Sequence, residues 1–256
     1  MSIQSVARAV GRRWSQLLDI ATALALIGAC VTVMWTLILR RGDAGRPTRP
    51  PSAMRPTPAV GSLISLEGAP TKGSRVAKLV VVEYADFQCT YCARFAQTIL
   101  PELDRTYVTP GRILFAFRHL PLRSIHPQAQ RAAQLAECSA RQGKFWEMHD
   151  LLFMSSGRLD EILDSRSIGK LGLDMNGLNN CLGSDSSNRV QKDGTEAATL
   201  GISGTPTFLI GSIQPDGRVK VARVVSGMRT FKEMQTVISE ALTSSAGGTG
   251  QPGGVE

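Results

Sequence analysis

Residues 78–92 read KLVVVEYADFQCTYC. The Val-rich run from Lys78 to Tyr84 has the length and β-branching of a buried strand. After a short turn, apolar residues recur at helical spacing from Cys89 to Tyr107, with Phe95, Ile99 and Leu103 on one face and Pro101 placed to kink the helix. Cys89-Thr90-Tyr91-Cys92 therefore sits directly after a strand and at the start of a helix. The spacing puts both sulfurs on one turn, within disulfide reach. The free N–H groups and partial positive charge of a helix N-terminus favour the thiolate of the first cysteine. Cys-x-x-Cys is also half of a zinc site, and Cys138 and Cys181 are the candidates for the other half. Those two are 43 positions apart, against the close second pair that zinc sites use. Glu83 has two readings: a strand carboxylate facing water, or a buried acid that exchanges a proton with Cys92.

Outward from this stretch, Arg112–His119 alternates and reads as a second strand. Residues 126–200 hold helical segments, clearest at Phe145–Phe153 and Asn188–Leu200. Thr207–Ile210 and Val219–Val225 read as strands, with a turn at Pro215-Asp216-Gly217. Thr230–Leu242 reads as a final helix with Thr230 as its N-cap. This order gives an α/β domain with a helical insertion. Gly204-Thr205-Pro206-Thr207 precedes a strand and is either a plain turn or a cis-proline presenting backbone to an extended substrate. His119, His126 and His149 lack metal-ligand spacing and read as structural or surface residues, with His119 a candidate for stacking near the cysteines.

Three runs, VEYADFQCTYC (82–92), GKFWEMHD (143–150) and LGISGTPTF (200–208), together and in this order resemble the DsbA-like branch of the thioredoxin superfamily. The resemblance covers about residues 63–242. It implies a thioredoxin fold with a helical subdomain inserted at about 126–200, and a thiol–disulfide oxidoreductase that needs no metal or organic cofactor. It implies Cys89 as nucleophile, Cys92 as resolving thiol and Glu83 as the buried acid, with Thr205 and cis-Pro206 receiving the substrate. Cys138 and Cys181 resemble a second pair found in some members. If bridged, they close a loop whose chain-entropy stabilisation is about 4 kcal/mol; the alternative is two buried free thiols. Two departures stand out. Thr90-Tyr91 lacks the Pro or Gly-Pro frequent in relatives, and Thr205 is polar where the best-known oxidase is apolar. Both positions tune potential and partner choice, so oxidase, reductase and isomerase all stay open, as does a non-catalytic zinc or binding module. The implied partners are exported proteins with cysteines and a quinone-linked thiol oxidase of the membrane.

Of 256 residues, 43% are hydrophobic and 20% charged, a globular composition. The net charge is +8, but residues 1–58 hold eight Arg against two Asp. The rest of the chain is close to neutral, which excludes the basic footprint of a nucleic-acid-binding domain. Residues 20–39 contain no Asp, Glu, Lys or Arg, and a helix of that length spans about 30 Å. Flanking arginines, with Trp14 and Trp35 near the ends, suit a single transmembrane anchor. A cleaved signal has a shorter core and a small-residue cleavage site. Residues 1–19 are then a cytoplasmic N-terminus, and 40–58, with five prolines, a semi-rigid linker. Residues 59–243 form the folded domain and 244–256 a Gly-rich tail. Arginines after the span argue for a cytoplasmic domain by the positive-inside rule. Disulfide chemistry argues for the extracytoplasmic, periplasmic side, and that is the expectation adopted.

Overall fold

The computed structural model describes residues 60–155, 168–184 and 186–246, together with positions 32, 34, 35 and 162. The chain divides into two units, Met1–Met54 and Arg55–Glu256. In the first, the described positions Thr32, Met34 and Trp35 are helical, and Met34 and Trp35 are exposed. Otherwise the anchor expected at 20–39, the linker at 40–58 and residues 247–256 lie outside the described residues. Among the described residues no helix is long and apolar enough to cross a membrane.

The second unit is built on a six-stranded sheet: β1 (Leu63–Ile64), β2 (Thr71–Gly73), β3 (Leu79–Ala85), β4 (Ile113–His119), β5 (Thr207–Ile213) and β6 (Val219–Ser226). The strand order is β1-β6-β5-β3-β4-β2. β3 and β4 run parallel, joined by a helix over residues 90–108 (α1), while β5 and β6 pair antiparallel on the other side of β3. Between β4 and β5 lie α2 (Ala129–Ala140), α3 (Phe145–Met154), α4 (Met175–Ser184) and α5 (Ser186–Thr199), and α6 (Phe231–Ala246) ends the fold. The α/β class with a helical insertion is thus the architecture observed.

β3 is buried at all seven positions, as its unbroken apolar run requires. Leu79 and Val81 face α1 and α6, packing with Phe95, Leu103, Met234 and Ile238. Val80, Val82 and Tyr84 face the opposite way, onto Ala197 and Ile202. Each such aliphatic side chain contributes about 1.5–3 kcal/mol by leaving water. Pro101, lacking an N–H, does not break α1. The helix widens just before it into a π turn at Phe95–Ile99, in which the Leu100 amide bonds back to the Phe95 carbonyl. On α6, Thr230 Oγ1 accepts the Glu233 amide while the Glu233 carboxylate accepts the Thr230 amide at 2.8 Å, a reciprocal cap.

Two expectations need correction. β4 reads as alternating, yet all seven residues are buried. It is an interior strand covered on both faces, and the polar Arg118 is held there by Asp193 at 2.8 Å and Glu196 at 3.4 Å from α5. The tail was expected from residue 244, but α6 continues to Ala246. Ser244 stays helical by bonding its hydroxyl to the Glu240 carbonyl at 2.9 Å.

Candidate active site

The end of β3, the start of α1 and the entry to β5 meet at the cysteine pair. Cys89 is the N-cap of α1. Its backbone is extended and its sulfur accepts the Cys92 amide at 3.4 Å. In its thiol form Cys89 donates to the Thr205 carbonyl at 3.5 Å, and the Thr205–Pro206 peptide bond is cis. The two cysteines differ sharply. The Cys89 thiol is brought down to about 5, first by a hydrogen bond from the Cys92 thiol. Burial opposes this, while Thr205 and the Cys92 and Tyr91 amides add to it. The Cys92 thiol is fully buried and pushed far up, first by burial. Thr90 and Tyr91 are exposed between them, Tyr91 at 62%.

Glu83 takes the buried alternative of its two readings. It is fully enclosed on β3 between Phe117 and Phe208 of the neighbouring strands. Neither carboxylate oxygen has a hydrogen-bond partner among the described residues. Burial, and then the negative charge of Cys89, raise its pKa well above the ordinary glutamate value. Glu83 in turn raises the pKa of the Cys92 thiol.

The insertion seals this end of the sheet. Phe87, two residues before Cys89, packs on Phe117 at 5.4 Å and on Phe153 of α3 at 4.8 Å between ring centroids. His119 and His149 are both buried within this aromatic cluster, each edge-on to Phe117 at 5.3 Å. His126 is instead half-buried, with Nδ1 2.8 Å from Asp86 Oδ2. Cys138 and Cys181 form a disulfide joining α2 to α4, with Cα atoms 5.7 Å apart. A four-cysteine zinc site thereby loses half its ligands. Sequence reasoning passed over Asp86 and Arg118. Asp86 stands inside the quoted motif, but beyond the local Gln88 amide its carboxylate partners come from residues 122 and 126, which no local spacing ties to it.

A dithiol at a helix N-terminus, with a cis-proline opposite and a buried acid behind, defines the class of thioredoxin-fold dithiol proteins. The family model described as thioredoxin matches residues 65–238, and the chain belongs to that family. Among solved structures it is similar to Wolbachia pipientis alpha-DsbA1, at 23% identity and a TM-score of 0.63, covering 72% of this chain and 95% of that one. It is also similar to oxidised BdbD from Bacillus subtilis, at 22% and 0.59, covering 72% and 98%. The fold is that of DsbA-like thiol–disulfide oxidoreductases. The curated relatives carry other names. A Salinispora tropica Na(+)/H(+) antiporter NhaA 3 is 39% identical over 57% of this chain and 22% of its own length. An NhaA 1 antiporter of Salinispora arenicola is 34% identical over 70% and 25%. The chain thus spans about a quarter of the length of these relatives.

Proposed function

We propose that this protein is a membrane-anchored, extracytoplasmic thiol–disulfide oxidoreductase that introduces disulfides into exported proteins through Cys89 and Cys92. The observation that carries the reading is the geometry of the pair: Cys89 caps the N-terminus of α1 with its sulfur accepting the Cys92 amide at 3.4 Å and facing the Thr205 carbonyl before cis-Pro206, while Cys92 is fully buried behind it. In the oxidised protein a substrate thiolate attacks Cys89 Sγ. A substrate–Cys89 disulfide forms, the Cys89–Cys92 bond breaks, and its electron pair goes to Cys92 Sγ, which takes a proton from Glu83. A second substrate thiolate attacks the substrate sulfur of the mixed disulfide, and Cys89 leaves as a thiolate. The substrate has lost two electrons and the protein has gained them. A low-pKa leaving thiol speeds the last step and favours the oxidising direction. Thr205 and cis-Pro206 receive the substrate backbone, while Thr90 and Tyr91 tune the couple. A quinone-linked thiol oxidase of the membrane then removes the two electrons. The Cys138–Cys181 bridge supports a compartment where structural disulfides persist, and residues 20–39 supply the anchor.

A second reading has the same chemistry serve a membrane transporter, because the curated relatives are named antiporters. Acid quenching and thiol alkylation of membranes carrying the oxidised chain hold the substrate–Cys89 disulfide before a second substrate thiol displaces it, and separate the two. The proposal expects a set of exported cysteine proteins trapped on Cys89. A single transporter species favours the second reading, and no adduct defeats both.

A further inference from the structure

A groove of about 690 Å³ runs between α5 and the crossover that leads from β4 into α2. Both of its walls lead to the cysteine pair. The crossover is fastened to the turn before Cys89, because the Leu122 amide donates to Asp86 Oδ2 at 2.7 Å and the Gln128 amide to Gln88 Oε1 at 2.6 Å. α5 passes, through a bond from the Ile202 amide to the Ala197 carbonyl at 2.8 Å, into the loop that carries Thr205 and Pro206. Leu120 and Val190 are buried in the floor of the groove, and Gln130, Gln134 and Gln191 line it with carboxamides. Arg123 is the one charged residue lining it among the described residues. Three carboxylates stand on the crossover, α2 and α5, and each is turned to an interior partner. Asp193 accepts from the Arg118 guanidinium at 2.8 Å and from the His119 amide at 3.0 Å. Glu196 accepts the Tyr84 hydroxyl at 3.0 Å, and Glu137 lies 3.5 Å from His119 Nε2. Arg123, by contrast, is exposed and has no ion-pair partner among the described residues.

Resting on the dithiol reading above, we infer that this groove takes an acidic stretch of the substrate chain beside its reacting cysteine, and that Arg123 binds the carboxylate. Carboxamides both donate and accept, which suits the unpaired amides and carbonyls of an extended segment. A guanidinium pairs with a carboxylate through two parallel hydrogen bonds, and no acid of the groove competes for it. A substrate cysteine seated between Cys89 and Thr205 delivers its neighbouring residues to these walls, because both walls converge there. Arg123 then acts on encounter and on the lifetime of the complex, while the exchange steps at sulfur stay as written above.

The test compares dithiol peptides of one length, with Glu, Gln or Lys flanking the cysteines, as they are oxidised by the oxidised full-length chain at low salt. Each rate is divided by that of the same peptide with hydroxyethyl disulfide, which removes the peptide's own thiol reactivity. The wild type should take the Glu peptide about fivefold faster than the Gln peptide, the upper end for one exposed ion pair. Arg123→Glu should invert the order, so that the Lys peptide becomes the fastest. Arg105→Glu, an equal change of net charge at an exposed position far along α1, should leave the wild-type order in place. Ratios taken within one protein cancel any loss of folded enzyme. Equal rates for the three peptides on the wild type overturn the inference, as does a preference that survives Arg123→Glu or one that Arg105→Glu also inverts. A wild-type chain that oxidises no dithiol peptide overturns the dithiol reading itself.

Discussion

The molecule carries two cysteine pairs in opposite settings. Cys89 and Cys92 occupy the N-terminal turn of α1, where backbone amides point at sulfur. Cys138 lies in the last turn of α2 and Cys181 in the second half of α4, where the helix field disfavours a thiolate. The first pair is built to exchange and the second to stay closed, and the difference lies in which helix end holds the sulfur rather than in burial. All four cysteines are buried.

Several substitutions break or sharpen this contrast. Cys89→Ala should abolish dithiol exchange outright, while Cys138→Ala with Cys181→Ala leaves it in place; turnover of a dithiol peptide measures both. The double substitution in the insertion should instead lower unfolding free energy by about 2–4 kcal/mol in urea, because it releases a long closed loop. Glu83→Gln acts in both directions. Glu83 has a raised folded pKa, so its contribution is intact below the unfolded value and is lost as pH rises toward the folded one. The substitution should therefore stabilise the reduced protein at neutral pH by about 1–3 kcal/mol and slow the Cys92 step by about tenfold or more. Cys89 works with the reverse sign. Its folded pKa is depressed, so the reduced form is favoured at high pH, and that advantage is lost as pH falls through about 5. Urea curves of reduced and oxidised protein should converge over that range. The smallest effect is Thr205→Val: Cys89 bonds the Thr205 backbone carbonyl, which the substitution keeps, and the buried hydroxyl it removes has no hydrogen-bond partner among the described residues. The thiolate titration should rise by less than about half a unit.

The same contrast separates what local sequence reveals from what it does not. The β3 run, the Cys-x-x-Cys turn, the Thr205-Pro206 step and the Thr230 cap each declare themselves within a few residues. Their recognition needs periodicity and local chemistry only. β1 and β2 are two and three residues long, too short for any period, and exist because β6 and β4 offer them edges. Arg118 looks like the outward position of an alternating strand until Asp193, 75 residues later, pairs with it in the interior. Glu83 and Asp86 are both buried acids three residues apart. Only the packing shows that one is unpaired and the other bonded three times.

The central claim is that the Cys89–Cys92 couple is an oxidant. Its reduction potential, measured on the full chain in glutathione buffers with Cys138 and Cys181 followed separately, tests this most directly. The account predicts a value near about −120 mV, and a value near about −270 mV would contradict it by making the protein a reductant.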